Sequence, residues 1–264
     1  MTVARSLAAA QTVPKRGDVE ANLEGHLRLI HVAAEGQARV LVFPELSLTG
    51  YELDLAEDLA FSERDPRLTP LLDLASSYKM TFIVGAPVRI ETRLHIGAFI
   101  LSPDRAVDLY TKHRLGAFPL DASPDGLVPP AEATVFHPGD RNPLLRFDGH
   151  TAAVAVCADI GRPSHPREAA DRGARNYLAS MFVIPADLEQ DTARLREYAV
   201  QHSMTVVFAN FGGPTGGLPS GGCSAIVSDK GELLAQLPET GDGIAIAVED
   251  ETGWRTKKVM LGSH

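Results

Sequence analysis

Three ionisable residues of this 264-residue chain occupy similar places in the sequence, each directly after a run of apolar residues. Glu45 follows VLVFP, Lys112 follows VDLYT and Cys157 follows AAVAV. A carboxylate with a raised pKa can take the proton of a thiol, the thiolate can attack a carbonyl carbon, and an ammonium group can stabilise the resulting oxyanion. The three residue types together predict nucleophilic catalysis by a cysteine.

Each of these residues also has a purely structural interpretation. Cys157 could be a small core residue that ends a strand, as unpaired cysteines often are. Glu45 could cap or pair within a loop, and Lys112 could be one exposed amine among many. Their equivalent positions favour the chemical interpretation, because strand ends at one edge of a sheet can converge on one crevice.

The elements that would position these groups can be read from the apolar pattern. Residues 151–156 are typical of a buried strand, and residues 163–173 predict a helix that begins at a proline and ends at a glycine. Cys157 therefore lies at a junction between a strand and a helix, where backbone N–H groups can stabilise an anion.

The remaining pattern predicts a mixed α/β sandwich rather than a purely doubly wound sheet. Apolar residues recur at helical spacing in residues 18–36, 67–79 and 187–202. Early in the chain, apolar strands alternate with these helices. In residues 223–248, strands follow one another as hairpins. No linker rich in Pro, Gly or Ser divides the chain. We therefore expect one domain over residues 1–264, in which residues 249–264 form a C-terminal tail.

Composition excludes several classes of partner. The net charge of −9 argues against nucleic acid or an anionic membrane as the main partner, and no apolar run approaches membrane-spanning length. The N-terminus lacks the apolar core of a signal peptide, and there are only two cysteines, so a reducing, cytoplasmic setting is expected. We expect the second cysteine, Cys223, to be an unreactive core residue.

Three motifs surround the candidate residues: VFPELSLTGY around Glu45, YTKHRL around Lys112 and CADIGRP at Cys157. In these motifs the chain resembles the nitrilase superfamily of carbon–nitrogen hydrolases. Their order matches the Glu, Lys, Cys catalytic triad of that family. The segment AEATVFHPGD supplies Glu132, the second glutamate that many members carry, and the similarity extends over about residues 3–248.

This resemblance implies a four-layer α-β-β-α sandwich that pairs into a homodimer or a higher homo-oligomer. It also implies roles: Glu45 takes the thiol proton, and Cys157 attacks the carbon of a small-molecule amide or nitrile. Lys112 and the backbone N–H of Ala158 would hold the oxyanion, while Glu132 would orient Lys112 or the substrate. No metal or cofactor is required by this chemistry.

Departures from the family pattern bear on the substrate. Many amidase members have Cys-x-Asp-x-Arg-Phe-Pro-Glu, whereas this chain has Gly161 at the Arg position and Ser164 at the Glu position. The missing side chain at Gly161 removes a possible anion-binding group and widens the pocket. Asp159 resembles the amidase and carbamoylase branches more than the nitrilase branch, which commonly has Trp-Glu after the cysteine. The sequence therefore favours an amide over a nitrile.

Several alternatives stay open at this stage. They are a nitrilase, an N-carbamoyl hydrolase, an enzyme that transfers the acyl group to an amine, and a catalytically silent binding protein on the same fold. A papain-like site is disfavoured, because His113 and His165 lack the cysteine context of that family, and we expect both to be structural.

Overall fold

The computed structural model describes residues 5–123 and 126–262. Within these residues the strands form one seven-stranded and one six-stranded sheet. The order of the seven-stranded sheet is β13-β12-β1-β2-β3-β4-β5, with β1 Arg5–Gln11, β2 Val40–Val42, β3 Thr81–Ile90, β4 Arg93–Leu101, β5 Val107–Thr111, β12 Gly243–Asp250 and β13 Gly253–Met260. The order of the six-stranded sheet is β11-β10-β9-β8-β7-β6, with β6 Leu144–Phe147, β7 His150–Val156, β8 Asn176–Ser180, β9 Thr205–Ala209, β10 Ala225–Val227 and β11 Leu233–Gln236.

Each sheet contains a parallel centre with antiparallel edges. In the seven-stranded sheet, β1, β2 and β3 are parallel neighbours, and in the six-stranded sheet β7, β8 and β9 are parallel neighbours. Parallel strands end at the same edge of a sheet, so each centre presents a set of carboxyl ends at one side.

The described part of the chain contains five α-helices: α1 Val19–Glu35, α2 Ala56–Leu59, α3 Thr69–Tyr78, α4 Ser164–Asp171 and α5 Leu188–His202. All but the short α2 cover the outer faces of the sheets. Helices α1 and α3 share an apolar cluster with one face of the seven-stranded sheet, and α4 and α5 share another with the six-stranded sheet. None of the described helices is long and apolar enough to cross a bilayer.

A third apolar cluster lies between the two sheets and completes a four-layer arrangement. The central strands are therefore buried on both faces, and their residues alternate between clusters: Leu7 and Ala9 of β1 point to the layer between the sheets, whereas Ala8 and Ala10 point to the helices. This architecture confirms the mixed α/β sandwich predicted from the apolar pattern and the four-layer α-β-β-α arrangement that the family resemblance implies.

The C-terminal segment departs from expectation. Residues 253–260, predicted above to belong to a tail, form the edge strand β13, which pairs antiparallel with β12 along its whole length. Trp254 packs against the layer between the sheets and lies under the Arg5 guanidinium, 5.0 Å from the ring centroid. The segment was misread because the charged residues at its centre face solvent, as is common for an edge strand.

Candidate active site

The structure brings Glu45, Lys112 and Glu132 together in one buried cluster. Lys112 Nζ donates hydrogen bonds to Glu45 Oε1 at 2.6 Å and to Glu132 Oε1 at 2.7 Å. The side chains of Glu45 and Lys112 are fully buried, and that of Glu132 is 2% exposed. Glu45 Oε2, the second oxygen of that carboxylate, forms no hydrogen bond with a described residue. The ammonium group is thus held between two carboxylates, one of which keeps a free oxygen.

A tight turn after β2 positions Glu45. Leu46 adopts a left-handed φ of 52°, the Glu45 N–H donates to the Met181 carbonyl at 3.2 Å, and the Leu48 N–H donates to the Gly85 carbonyl at 2.9 Å. A side chain at Gly85 would place its Cβ 2.3 Å from the Leu46 nitrogen. Glycine at position 85 is therefore required for the turn to lie against β3.

Glu132 is fixed by hydrogen bonds to both of its oxygens. It begins a 3-10 helix, Glu132–Thr134, in the long loop between β5 and β6. Its Oε1 also accepts from the Tyr51 hydroxyl at 2.7 Å, and its Oε2 accepts from the Gly116 N–H at 2.7 Å. Glu132 therefore has little freedom to move, and it fixes one side of the Lys112 ammonium group.

Cys157 lies directly after β7, at the first position of a 3-10 helix, Cys157–Gly161. Its backbone φ is 43°, a left-handed conformation that costs a residue other than glycine about 1–3 kcal/mol. The half-buried thiol lies 3.4 Å from the Phe182 carbonyl oxygen, to which it donates a hydrogen bond. The strained turn directs this side chain out of the strand and toward the cavity.

Asp159 connects the loop that carries Cys157 to the loop that carries Lys112. One carboxylate oxygen accepts from the N–H groups of His113 at 3.1 Å and Arg114 at 2.8 Å. The other accepts from the Val156 N–H at 3.1 Å and from the Tyr110 hydroxyl at 2.7 Å. A single buried carboxylate therefore fixes the ends of β5 and β7 relative to each other.

The side-chain hydrogen bonds of His113 and His165 go to groups other than the Cys157 thiol. His165 lies between two tyrosines: Nδ1 is 2.8 Å from the Tyr177 hydroxyl and Nε2 is 3.0 Å from the Tyr110 hydroxyl. Because the Tyr110 proton goes to Asp159, the ring donates from Nε2 and accepts at Nδ1. Burial lowers the pKa of His165, so the neutral ring that this arrangement needs is favoured.

Burial and mutual pairing shift the pKa values of Glu45, Cys157 and Lys112. Burial raises the pKa of Glu45 to about 7, although Lys112 opposes the shift. Burial raises the pKa of the Cys157 thiol, and the nearby Glu45 carboxylate adds to this effect. Burial would lower the pKa of Lys112, but Glu132 and Glu45 outweigh it and raise that pKa well above its usual range. The resting site therefore holds a thiol, an ammonium group and a carboxyl group that titrates near neutrality.

Cys157 and Glu132 line a cavity of about 340 Å³, whereas Glu45 and Lys112 are not among its lining residues. Its inner wall is apolar and aromatic, with Tyr51, Phe118 and Phe182 in mutual ring contact. Ala158 also lines it. Besides Glu132, the charged residues of its wall are Arg114, Asp187, Asp191 and Arg194. The cavity can hold a small molecule with its reacting carbon next to the thiol.

Two contributors were not predicted as site residues. Tyr51 was noted only within the motif VFPELSLTGY, and Phe182, which follows β8, was not part of any predicted element. The one available signal for Tyr51 was its place in the motif that contains Glu45. Phe182 gave no signal, since an aromatic residue after a buried strand is ordinary core composition.

Cys223 differs from the expectation of a core residue. It lies before β10 rather than within a strand, has a left-handed φ of 57°, and is half-buried. Burial raises the pKa of its thiol, and Glu239 adds to the shift. Cys223 does not line the cavity at Cys157. Its low reactivity stays a prediction.

The described residues contain no group of three or more His, Cys, Asp or Glu side chains that could hold a metal ion. Residues 6–256 match the sequence model of a family described as carbon–nitrogen hydrolase. The chain belongs to the carbon–nitrogen hydrolase family. This membership confirms the resemblance to the nitrilase superfamily.

Relatives in this family carry different activities. The chain is 25% identical to a nitrilase of Pyrococcus abyssi over 96% of this chain and 92% of the relative. It is 23% identical to a glutamine-dependent NAD(+) synthetase of Aquifex aeolicus over 97% of this chain but 44% of the relative. The chain therefore spans less than half of that synthetase.

Solved structures support the fold. The amidase NitN of Nesterenkonia sp. AN1 aligns with a TM-score of 0.80 and 25% identity over 92% of this chain and 91% of that chain. A cysteine-to-alanine variant of the same amidase, in complex with butyramide, aligns with a TM-score of 0.79 over 92% and 89% of the two chains.

Proposed function

We propose that this hydrolase is an amidase that converts a small amide to a carboxylic acid and ammonia or an amine, through a thioester on Cys157. The observation that carries the proposal is the buried Lys112 ammonium group between Glu45 and Glu132, with Glu132 and the Cys157 thiol at the wall of one cavity. Such an arrangement supplies a base, a nucleophile and a positive charge for an oxyanion.

Acylation uses the free oxygen of Glu45. Glu45 Oε2 takes the proton of the Cys157 thiol as sulfur attacks the amide carbon, and the carbonyl electrons move to oxygen. Lys112 and the backbone N–H of Ala158 stabilise that oxyanion. Glu45 then gives the proton to the amide nitrogen, the C–N bond breaks, and the amine leaves behind a thioester.

Deacylation repeats the same proton transfers with water. Glu45 takes a proton from the water as its oxygen attacks the thioester carbon, and the tetrahedral intermediate then releases the sulfur. The proton returns to the Cys157 sulfur, which regenerates the thiol and frees the acid. A group with a pKa of about 7 is suited to both directions, because it exchanges a proton readily near neutral pH.

Two features support an amide as the substrate. Solved relatives of similar fold are amidases, and one of them contains butyramide. The aromatic inner wall formed by Tyr51, Phe118 and Phe182 suits a short apolar acyl group. Substrates of the nitrilase and N-carbamoyl classes are the alternatives, as is transfer of the acyl group to an amine.

A second candidate is the side-chain amide of glutamine, which the charged part of the cavity favours. Arg114 lies on one segment of the wall, and Asp187, Asp191 and Arg194 lie on and just before α5. Because Arg194 pairs with Asp191, an α-carboxylate would pair with Arg114 and an α-ammonium group with Asp187. Relatives named as glutamine-dependent synthetases match this chain over nearly its full length, which adds support.

Ammonia release from a matched panel tests these proposals. The panel contains butyramide, butyronitrile, N-carbamoylglycine and L-glutamine, with hydroxylamine added in parallel to intercept the acyl group. We expect butyramide or L-glutamine to release ammonia, and mass spectrometry to find the acyl adduct on Cys157. Ammonia release from butyronitrile alone, or turnover that survives replacement of Cys157, would contradict the proposal.

We propose further that the protein forms a homodimer. Val200 is 55% exposed, Leu233 48% and Met260 38%, which leaves large apolar side chains in solvent in the single chain. Light scattering at micromolar concentration is expected to give twice the chain mass of 28.3 kDa. A stable mass of one chain would contradict it.

A further inference from the structure

Four buried side chains form one continuous hydrogen-bond network, which we call the Asp159 network: Tyr177, His165, Tyr110 and Asp159. The Tyr177 hydroxyl is 2.8 Å from His165 Nδ1, and His165 Nε2 is 3.0 Å from the Tyr110 hydroxyl. The Tyr110 hydroxyl donates to Asp159 Oδ2 at 2.7 Å. His165 is 7% exposed, and the other three side chains belong to residues that are at most 1% exposed. None of the four lines the cavity at Cys157, so any part they have in its chemistry is indirect.

The protons of the Asp159 network point in one direction. Burial, together with the Asp159 charge, raises the pKa of both tyrosines well above its usual range, so both hydroxyls keep their protons. The Tyr177 hydroxyl donates to His165 Nδ1, and the ring therefore carries its proton on Nε2 and donates it to Tyr110. The Tyr110 oxygen already accepts from the ring, so its single proton goes to Asp159. In the other ring tautomer, the buried Tyr177 proton would find no acceptor on the ring.

Asp159 needs the donor that this network supplies. Its carboxylate is 1% exposed and accepts four hydrogen bonds, three from backbone N–H groups and one from the Tyr110 hydroxyl. A buried carboxylate is costly unless hydrogen bonds replace its lost hydration. A hydroxyl that itself accepts a hydrogen bond is a stronger donor, because neighbouring hydrogen bonds polarise one another. The N–H of His165 therefore strengthens the contact between Tyr110 and Asp159.

The backbone groups that Asp159 holds lie next to two residues of the candidate active site. The His113 N–H directly follows Lys112, and the Val156 N–H directly precedes Cys157. The left-handed φ of 43° at Cys157 is maintained only where the surrounding structure fixes it. A shift of Asp159 would therefore change the position of the thiol relative to the ammonium group.

We propose that His165 is a positioning residue for the reaction at Cys157. The ring, protonated on Nε2, keeps the Tyr110 proton on Asp159. Asp159 in turn holds the backbone beside Cys157 and Lys112. This role rests on the proposed function, because the reaction that the Asp159 network supports is the one at Cys157. A ring that served packing alone would need neither its donor nor its acceptor.

The pair His165→Leu and His165→Gln separates this role from packing. Leucine fills a similar volume without hydrogen bonds, whereas glutamine keeps an N–H donor for Tyr110 and an oxygen acceptor for Tyr177. We expect kcat to fall about fivefold for His165→Leu, on the scale of one hydrogen bond, with KM within about twofold of the wild type. His165→Gln should restore most of the lost kcat. Equal kcat in the two variants would overturn the proposal.

A double-mutant cycle tests whether His165 acts through Asp159. His165→Leu should change kcat by less than about twofold in an Asp159→Asn background, because the contact it supports is already broken there. Tyr198→Phe is the matched control, since its hydroxyl donates to the Ile160 carbonyl at 2.8 Å and lies outside the Asp159 network. Its effect on kcat should be the same in both backgrounds. Equal effects of His165→Leu in both backgrounds, or equally strong coupling of Tyr198→Phe to Asp159→Asn, would overturn the positioning role.

The same cycle is measured on the iodoacetamide labelling rate of Cys157, which requires no substrate. Coupling in the labelling rate of a protein that turns over no amide would support the positioning role and contradict the amidase proposal. Turnover of an amide without coupling in kcat would do the reverse. Circular dichroism confirms that each variant is folded. Tyr177→Phe, which removes only the hydroxyl that selects the ring tautomer, replaces His165→Leu in the cycle if that variant is unstable.

Discussion

The two sheets contribute to the candidate active site in different ways. The seven-stranded sheet supplies Glu45 and Lys112, whose side chains are fully buried and paired with each other. The six-stranded sheet supplies Cys157, which is half-buried, makes one weak hydrogen bond and adopts a left-handed backbone. The charged groups are therefore held by side-chain contacts, and the nucleophile is held by its backbone.

This difference suggests how each half responds to substitution. A change at Glu45 or Lys112 alters a buried network of charges, so both the chemistry and the stability should respond. A change of the Cys157 side chain removes the nucleophile but no ion pair, so the fold should tolerate it. The experiments below test this division between the sheets.

The largest effect is expected for Cys157→Ala. Turnover should be abolished because the nucleophile is gone, while the thermal unfolding temperature should stay within a few degrees of the wild type. Ammonia release and calorimetric unfolding measure the two quantities. Residual turnover above the background, or loss of the folded state, would break the comparison between the sheets.

Glu45→Gln keeps the size of the side chain and its contact with Lys112, but the amide cannot accept the thiol proton. Acylation is expected to fall about a hundredfold or more, the scale for losing a general base. Rapid-quench measurement of the first turnover gives this rate. Iodoacetamide labelling of Cys157 should slow in the same variant, and an unchanged labelling rate would exclude Glu45 as the base.

Lys112→Met removes the positive charge between two buried carboxylates. The lost stabilisation of the oxyanion is expected to cost roughly 3–4 kcal/mol in the barrier, or a few hundredfold in kcat. The two carboxylates should then repel, so the variant is expected to unfold at a lower temperature than Cys157→Ala. A fully stable variant would show that the charges of the seven-stranded sheet are not held by mutual pairing.

The pH dependence of kcat/KM sharpens the assignment of the base. Glu45 is active as a base only when ionised, and burial raises its pKa to about 7. The rate should therefore rise with pH, about tenfold per unit below pH 7, and level off above it. The Glu45→Gln variant should lack this limb of the profile. A limb near pH 4.5 in the wild type would show that Glu45 titrates as an exposed carboxyl group.

Asp159→Asn tests the connection between the two sheets and should have the smallest effect. An amide accepts at one oxygen only, so two of the four N–H or O–H donors would face an NH₂ group. A loss of about 1–3 kcal/mol in stability is expected, with a fall in kcat and little change in KM. Differential scanning calorimetry and steady-state kinetics check both, and a change in KM alone would contradict a positioning role.

The general architecture could be predicted from sequence because strands buried on both faces produce continuous apolar runs. The ends of β2, β5 and β7 marked Glu45, Lys112 and Cys157 for the same reason. The contacts of Glu132 could not be predicted from periodicity, since it lies in a loop and its Tyr51 partner is 81 residues away. Its inclusion came from the family resemblance alone.

Hydrogen bonds that close over long separations were equally hidden. Asp159 was interpreted only as a marker of the amidase branch, yet it accepts N–H groups from a loop about 45 residues earlier in the chain. Strand β13 escaped prediction for a different reason, because the lysines and arginine at its centre resemble a solvated segment. Pairing with β12 overrides that local composition.

The left-handed backbone at Cys157 lowers the stability of the folded protein at the position of the nucleophile. At a φ of 43°, glycine is the residue that the backbone accommodates most easily. Cysteine therefore occupies this position for its reactivity, at the expense of a more relaxed main chain. A Cys157→Gly protein should be inactive. Its free energy of unfolding should exceed that of Cys157→Ala, because the strain relieved in the folded backbone outweighs the extra conformational entropy of glycine in the unfolded chain.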